Sequence, residues 1–260
     1  KSIALPPATW DDLKNLIPYL TELDSSNQIK KSAIAIGGSN KSVDKSSDIL
    51  TLLLFQFNSS FINPQNYAVN FDNKSVEALN FYLQFANPTS KYYTWNNNLN
   101  NSLDSFASGD TAMMINYAKQ AQVIKKKNPF LNFAIAPVPQ FNLSRPSNFT
   151  DYWGMAVSTQ SKFPIDAWDF IIAFTAHDNF IEKYIKNTKL PPATRTLINK
   201  YIGDPDLSAF AKQSLSSTSI SGLDTTVFAQ SLSNAIESVL NGKLNSSKAL
   251  DQVRAEMNTQ

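Results

Sequence analysis

Apolar positions recur at helical spacing along most of this chain, and only a few short runs break that rhythm. Leu13, Leu16, Ile17 and Leu20 repeat at i, i+3, i+4 and i+7, the stripe of a helix that covers a core. The same reading predicts helices over 10–23, 45–57, 74–86, 102–107, 165–176, 179–187, 207–213, 225–240 and 247–257. The run Ile49–Phe55 is too short to span a membrane and reads as a buried helix. Strands are predicted over 33–36, 112–115, 132–137 and 153–157, where short apolar runs are bounded by polar residues, glycine or proline. Few strands among many helices indicate an α/β or α+β chain with a small sheet. Residues 140–148 are polar with Pro146, which predicts an exposed loop.

Several boundaries carry their own chemistry. Thr9 is placed to cap a helix, with Asp11 and Asp12 in the first turn where carboxylates favour the helix dipole. Pro164 suits the first turn of the helix over 165–176, and Gly242 a helix stop. In Phe106-Ala-Ser-Gly-Asp-Thr-Ala-Met-Met-Ile-Asn-Tyr117 a helix end meets Gly109 and a short apolar strand follows. That strand ends in Asn116, Tyr117, Lys119 and Gln120. Sheets of α/β proteins bind ligands at the carboxyl ends of their strands, so this cluster is the first candidate for a binding site.

Three segments in order carry a resemblance. They are Pro7-Ala-Thr-Trp-Asp-Asp-Leu13, the Phe106–Tyr117 run, and Tyr152-Trp-Gly-Met-Ala-Val-Ser158 followed by Ser161-Lys-Phe-Pro-Ile-Asp-Ala-Trp-Asp-Phe170. Together they resemble the extracellular solute-binding proteins of ABC importers, in the family-1, maltose-binding-like group. The resemblance runs across essentially the whole chain. It implies an α/β, periplasmic-binding-protein-like class II two-lobe fold. Family members carry a further stretch before the Thr9 helix, so the resemblance implies mostly the C-terminal lobe plus a remnant of the N-terminal lobe. Residues 1–131 and 178–260 would form the C-terminal lobe, and 132–177 the remaining segment of the other, with edges and apolar surface left open.

Composition narrows the function. Hydrophobic residues are 42% and charged residues 17% of 260, a globular balance, and a net charge of +2 offers nucleic acid no partner. The basic run Lys125-Lys126-Lys127 reads as a solvated helix end or loop. With no cysteine there are no disulfides, thiolate metal sites or cysteine nucleophiles. His177 is the only histidine and reads as a capping or surface residue, so no Ser-His-Asp triad can be argued. No clustered metal ligands, phosphate-cradling loop or paired carboxylates stand out. No apolar stretch reaches the length that spans a membrane.

What remains is aromatic rings beside amides, a combination suited to sugars. The expected ligand contacts are Tyr117, Trp153, Asn116, Tyr152, Gly38, Ser39, Trp95 and Phe228, with Tyr117 and Trp153 on opposite walls by the resemblance. Trp10 and Trp168 fall on apolar helix faces and are expected in the core. The start of the helix at Ser47 is a further rim candidate. The resemblance implies the substrate-binding component of a bacterial ABC importer. It would capture a sugar or oligosaccharide by hinge closure, without a cofactor or catalysis, and present it to a membrane permease. It also implies an extracellular or periplasmic protein, lipid-anchored in full length, of which this chain is a fragment. The alternatives are a surface interaction protein on the same scaffold and, further off, a carbohydrate-active enzyme.

Overall fold

A computed structural model describes Ile3 and residues 5–259. Lys1, Ser2, Ala4 and Gln260, which the two-lobe division includes, lie outside the described residues. The elements in chain order are α1 (Trp10–Leu20), β1 (Glu22–Leu23), β2 (Ile29–Ala35), α2 (Ser46–Gln56), α3 (Asn73–Leu83), α4 (Ser102–Ser108), β3 (Thr111–Met114) and α5 (Lys119–Lys127). There follow β4 (Asn148–Phe149), α6 (Pro164–Ala176), α7 (Asp178–Thr188), α8 (Arg195–Tyr201), α9 (Ser208–Ser214), β5 (Ser217–Thr218), α10 (Thr225–Leu240) and α11 (Ser246–Asn258).

The helices start where their first residues dictate. Thr9 and Asp12 close a reciprocal capping box on α1, and Asp72 and Ser75 do the same on α3. Pro164 opens α6, and Gly109 ends α4 at φ +81°, in the left-handed region where glycine costs least. The basic run falls in the last turn of α5, where cations favour the dipole. Helices α5 and α8 are additions to the sequence reading.

One sheet has the order β1-β2-β3. β1 pairs antiparallel with β2 (Glu22 opposite Lys31), and β2 parallel with β3 (Ser32 opposite Thr111, Ile34 opposite Met113). A second, two-stranded sheet joins β4 to β5 in parallel. The core lies against β2: Trp10, Leu13 and Ile17 of α1, Leu50, Leu53 and Leu54 of α2, Leu79 and Tyr82 of α3, and Leu232, Ile236, Leu250 and Val253 of α10 and α11. Buried Gln56 ties this core to the later chain. It accepts from Trp10 Nε1 at 2.6 Å and donates to the carbonyls of Pro139 and Ser147, each at 3.1 Å. A small separate cluster forms from Ile185, Leu197 and Leu207.

Four expectations need correction. Residues 132–137 and 153–157 form no strand among the described residues, because nothing in the described chain lies beside them to pair with. Trp168 is half exposed rather than in the core, since no residue of α6 is buried. The loop over 140–148 is exposed only in its middle. Gln140 and Asn148 are buried, and Gln140 bridges to Thr9.

Candidate functional site

β3 lies parallel to β2 and delivers Asn116 and Tyr117 just past its carboxyl end, beside the first turn of α2. The Tyr117 hydroxyl donates to Asp48 Oδ2 at 2.8 Å. Asn116 Nδ2 donates to Asp44 Oδ2 at 2.9 Å, and Asn116 Oδ1 accepts from the Tyr117 amide at 2.8 Å. Gln120 Nε2 reaches the same Asp44 oxygen at 3.4 Å. Lys45, in a left-handed conformation at φ +64°, caps α2 and holds Nζ 6.0 Å from the Tyr117 ring centroid. Asp44, Lys45, Asp48, Asn116 and Tyr117 are all partly exposed, so the cluster is a surface wall rather than core.

Its electrostatics are those of a half-buried acidic site. Burial pushes the Asp48 carboxyl above the usual aspartate range, while the Tyr117 hydrogen bond and the Lys45 charge pull the other way. Burial, then the charge of Asp48, pushes the Tyr117 phenol up, so it stays a neutral donor at any physiological pH. The Asp151 carboxylate stands near enough to raise both groups. The chain just before Tyr152 and Trp153 therefore comes close to this wall. Neutral donors, carboxylate acceptors and one aromatic face can hold a ligand rich in hydroxyls. Among the described residues no group of three potential metal ligands forms.

The sequence-derived candidates divide into three sets. Asn116 and Tyr117 stand together on the wall. Tyr152 and Trp153 are exposed, Trp153 completely. Trp95 and Phe228, expected as ligand contacts, are instead core residues. Trp95 is 1% exposed with Nε1 donating to Ser42 Oγ at 3.0 Å, and Phe228 stacks on Phe61 with centroids 6.2 Å apart. Gly38 and Ser39 are buried under their own neighbours. The Tyr82 hydroxyl donates to the Gly38 carbonyl at 2.7 Å, and the Ser39 amide donates to Asn97 Oδ1 at 2.9 Å. A Cβ at Gly38 would come within 2.5 Å of Ser42 Oγ, so glycine is required by the packing. Asp44 and Asp48 were missed as individual residues. Their one sequence signal was the position of Asp48 in the first turn of the helix at Ser47.

The profile of the bacterial extracellular solute-binding protein family matches residues 1–209. The chain belongs to that family. Its fold is that of two-lobe binding proteins. It is similar to a cyclo/maltodextrin-binding protein complexed with maltotetraose, at TM-score 0.76 and 17% identity, covering 98% of this chain and 65% of that one. It is similar to an ABC transporter solute-binding protein from Thermotoga lettingae bound with α-D-tagatose, at 0.74 and 18%, covering 98% and 65%. It is similar to UgpB from Mycobacterium tuberculosis in complex with glycerophosphocholine, at 0.71 and 16%, covering 98% and 63%. The chain thus spans somewhat less than two thirds of these solved proteins. No curated protein matches it.

Proposed function

We propose that this chain takes part in capturing a small, hydroxyl-rich solute, a sugar or oligosaccharide, for an ABC importer outside the cytoplasmic membrane. The observation that carries the reading is the Tyr117–Asp48 pair. A neutral phenol is locked by a carboxylate at the end of β3, leaving a ring face and spare carboxylate lone pairs beside Asn116 and Asp44. Titles of the solved relatives name maltotetraose and tagatose as bound solutes, which supports a sugar here. In this reading residues 1–131 and 178–260 act as one lobe and 132–177 belongs to the other. Tyr152 and Trp153 face Tyr117 across the cleft, and hinge closure presents the solute to a membrane permease. Asp151 acting on Asp48 and Tyr117 is the support for placing the second wall there. The role is binding without catalysis, and lipid anchoring belongs to the same reading.

The test is calorimetric titration of the protein with maltodextrins, tagatose and other monosaccharides. For the sugar that binds, Tyr117→Ala is expected to weaken affinity about tenfold, since losing one aromatic platform costs on the order of 1.4 kcal/mol. Tyr117→Phe keeps the ring and is expected to lose less. Unchanged affinity in Tyr117→Ala removes this wall from the site. The fully exposed ring of Trp153 and the apolar surface of α6 would also suit a protein-interaction role. That second reading takes over if no sugar binds.

A further inference from the structure

β3 is the last strand of its sheet, and its outer edge faces a groove of about 480 Å³. Thr111, Met113 and Met114 form one wall, and Leu131, Phe133 and Ala134 form another. No ionisable side chain lines it. The backbone phase of β3 follows from the ladder. Ser32 stands opposite Thr111, and its amide donates to the Asp110 carbonyl at 2.9 Å. In a parallel ladder a residue bonded this way exchanges its bonds with the two neighbours of its opposite number. Ala112 and Met114 therefore bond toward β2, and Thr111 and Met113 turn their amides and carbonyls toward the groove. The Met113 carbonyl finds only the Thr111 hydroxyl of its own strand, at 3.3 Å, among the described residues. On the other wall, residues 132–136 make no backbone hydrogen bond with any described residue. Their exposure nevertheless alternates as in a strand. Phe133 and Ile135 are half-buried between exposed Asn132, Ala134 and Ala136.

We propose that this groove accepts one extended peptide strand, pairing with Thr111 and Met113 on one side and with the 132–136 backbone on the other. Two facing rows of unused amides and carbonyls at strand spacing call for a ligand with donors and acceptors repeating along both edges, which is another strand. The lining sets its side chains: uncharged, alternating apolar and polar, with the apolar ones over Met113 and Phe133. In the cyclo/maltodextrin-binding protein about a third of the chain lies outside the match, ample length to supply such a strand. The groove shares no residue with the Tyr117 wall, so the two assignments stand or fall separately.

The probe is the acetylated, amidated peptide Lys-Thr-Val-Thr-Val-Thr-Val-Lys, titrated into the 260-residue chain with amide hydrogen exchange as readout. The expected result is saturable binding with exchange slowed at least tenfold at Thr111, Met113 and residues 132–136. The same peptide N-methylated at alternate residues keeps its apolar side chains and loses the donors of one edge. It is expected to bind at least tenfold more weakly. Unchanged exchange at those amides, or equal binding by the methylated peptide, overturns the proposal. A concentration-dependent dimer that protects the same amides without peptide also overturns it, because a second copy then fills the groove.

Discussion

Helices α2 and α6 are built of much the same material and end in opposite surroundings. In α2, Ile49, Leu50, Leu52, Leu53 and Leu54 are all buried. In α6, Ile165 is 75% exposed, Phe170 65% and Ile172 55%, and no residue is buried. A helix apolar on every side is one meant to be surrounded. The pattern says nothing of where the surroundings come from. α2 finds them in α3, α10 and the β4 sheet, whereas α6 makes substantial contact with α7 alone. Exposed apolar area of this kind marks an interaction surface, in keeping with the assignment of 132–177 to the other lobe proposed above.

The largest expected effect separates the two tryptophans. Trp10 is fully buried, packs edge-on against Phe81 at 5.3 Å and donates to Gln56. Trp10→Ala should cost about 3–5 kcal/mol in urea unfolding, the range for emptying an aromatic core site. Trp168→Ala should stay within about 0.5 kcal/mol, as exposed sites do. A cost above about 1 kcal/mol at Trp168 would show α6 covered in solution and end the comparison. Next come Leu53→Ala, expected to lose about 2–5 kcal/mol, and Ile172→Ala, expected to lose almost nothing, measured in the same way.

The same contrast explains what the sequence could reveal. Helices α1, α10 and α11 were legible because cap, stripe and stop agree in each, from Thr9 on α1 to Gly242 just past α10. α5 was not, since Lys125, Lys126 and Lys127 drown its short stripe and only Ile124 is buried. The strands over 132–137 and 153–157 have a strand's composition without a pairing partner, and pairing is not written in a single segment. In the site, Asn116 and Tyr117 were legible from their place after an apolar strand. Trp95 and Phe228 were misread because an aromatic ring beside polar residues serves a core as readily as a ligand. Asp44 and Asp48 needed the fold, since 72 residues separate Asp44 from Asn116, its partner.

A smaller effect is expected at Asp48, where stability and binding pull apart. Its folded pKa is raised by burial. The native state therefore holds this proton more tightly than the unfolded chain does. Stability falls as pH rises from the unfolded value of about 3.9 through the raised folded value. Asp48→Asn can still accept the Tyr117 hydrogen bond and carries no buried charge. It should gain on the order of 0.5–2 kcal/mol at neutral pH and show no gain in acid. Melting temperatures across pH measure this, and a stability loss at pH 7 would mean that the carboxylate is well compensated in the folded wall.

The smallest effect belongs to Asp72, which has the opposite sign and so sharpens the contrast between a wall carboxylate and a capping one. Burial pushes the Asp72 carboxyl up, but hydrogen bonds from Ser75, Ser59 and Ser60 outweigh it and hold the pKa below the usual range. The Ser75 amide and the Ser59 hydroxyl both reach Asp72 Oδ1 at 2.9 Å. Here the unfolded chain binds the proton more tightly, so the stabilisation is present above the unfolded value of about 3.9 and is lost as pH falls toward the depressed folded value. Asparagine caps a helix nearly as well as aspartate, so Asp72→Asn should cost less than about 1 kcal/mol at pH 7. Its signature is in the pH profile: the difference from wild type should shrink as pH falls below about 3.9, while for Asp48→Asn an advantage disappears over the same descent. If the two variants follow parallel profiles, burial and hydrogen bonding do not distinguish these carboxylates, and the electrostatic description of the Tyr117 wall fails with them.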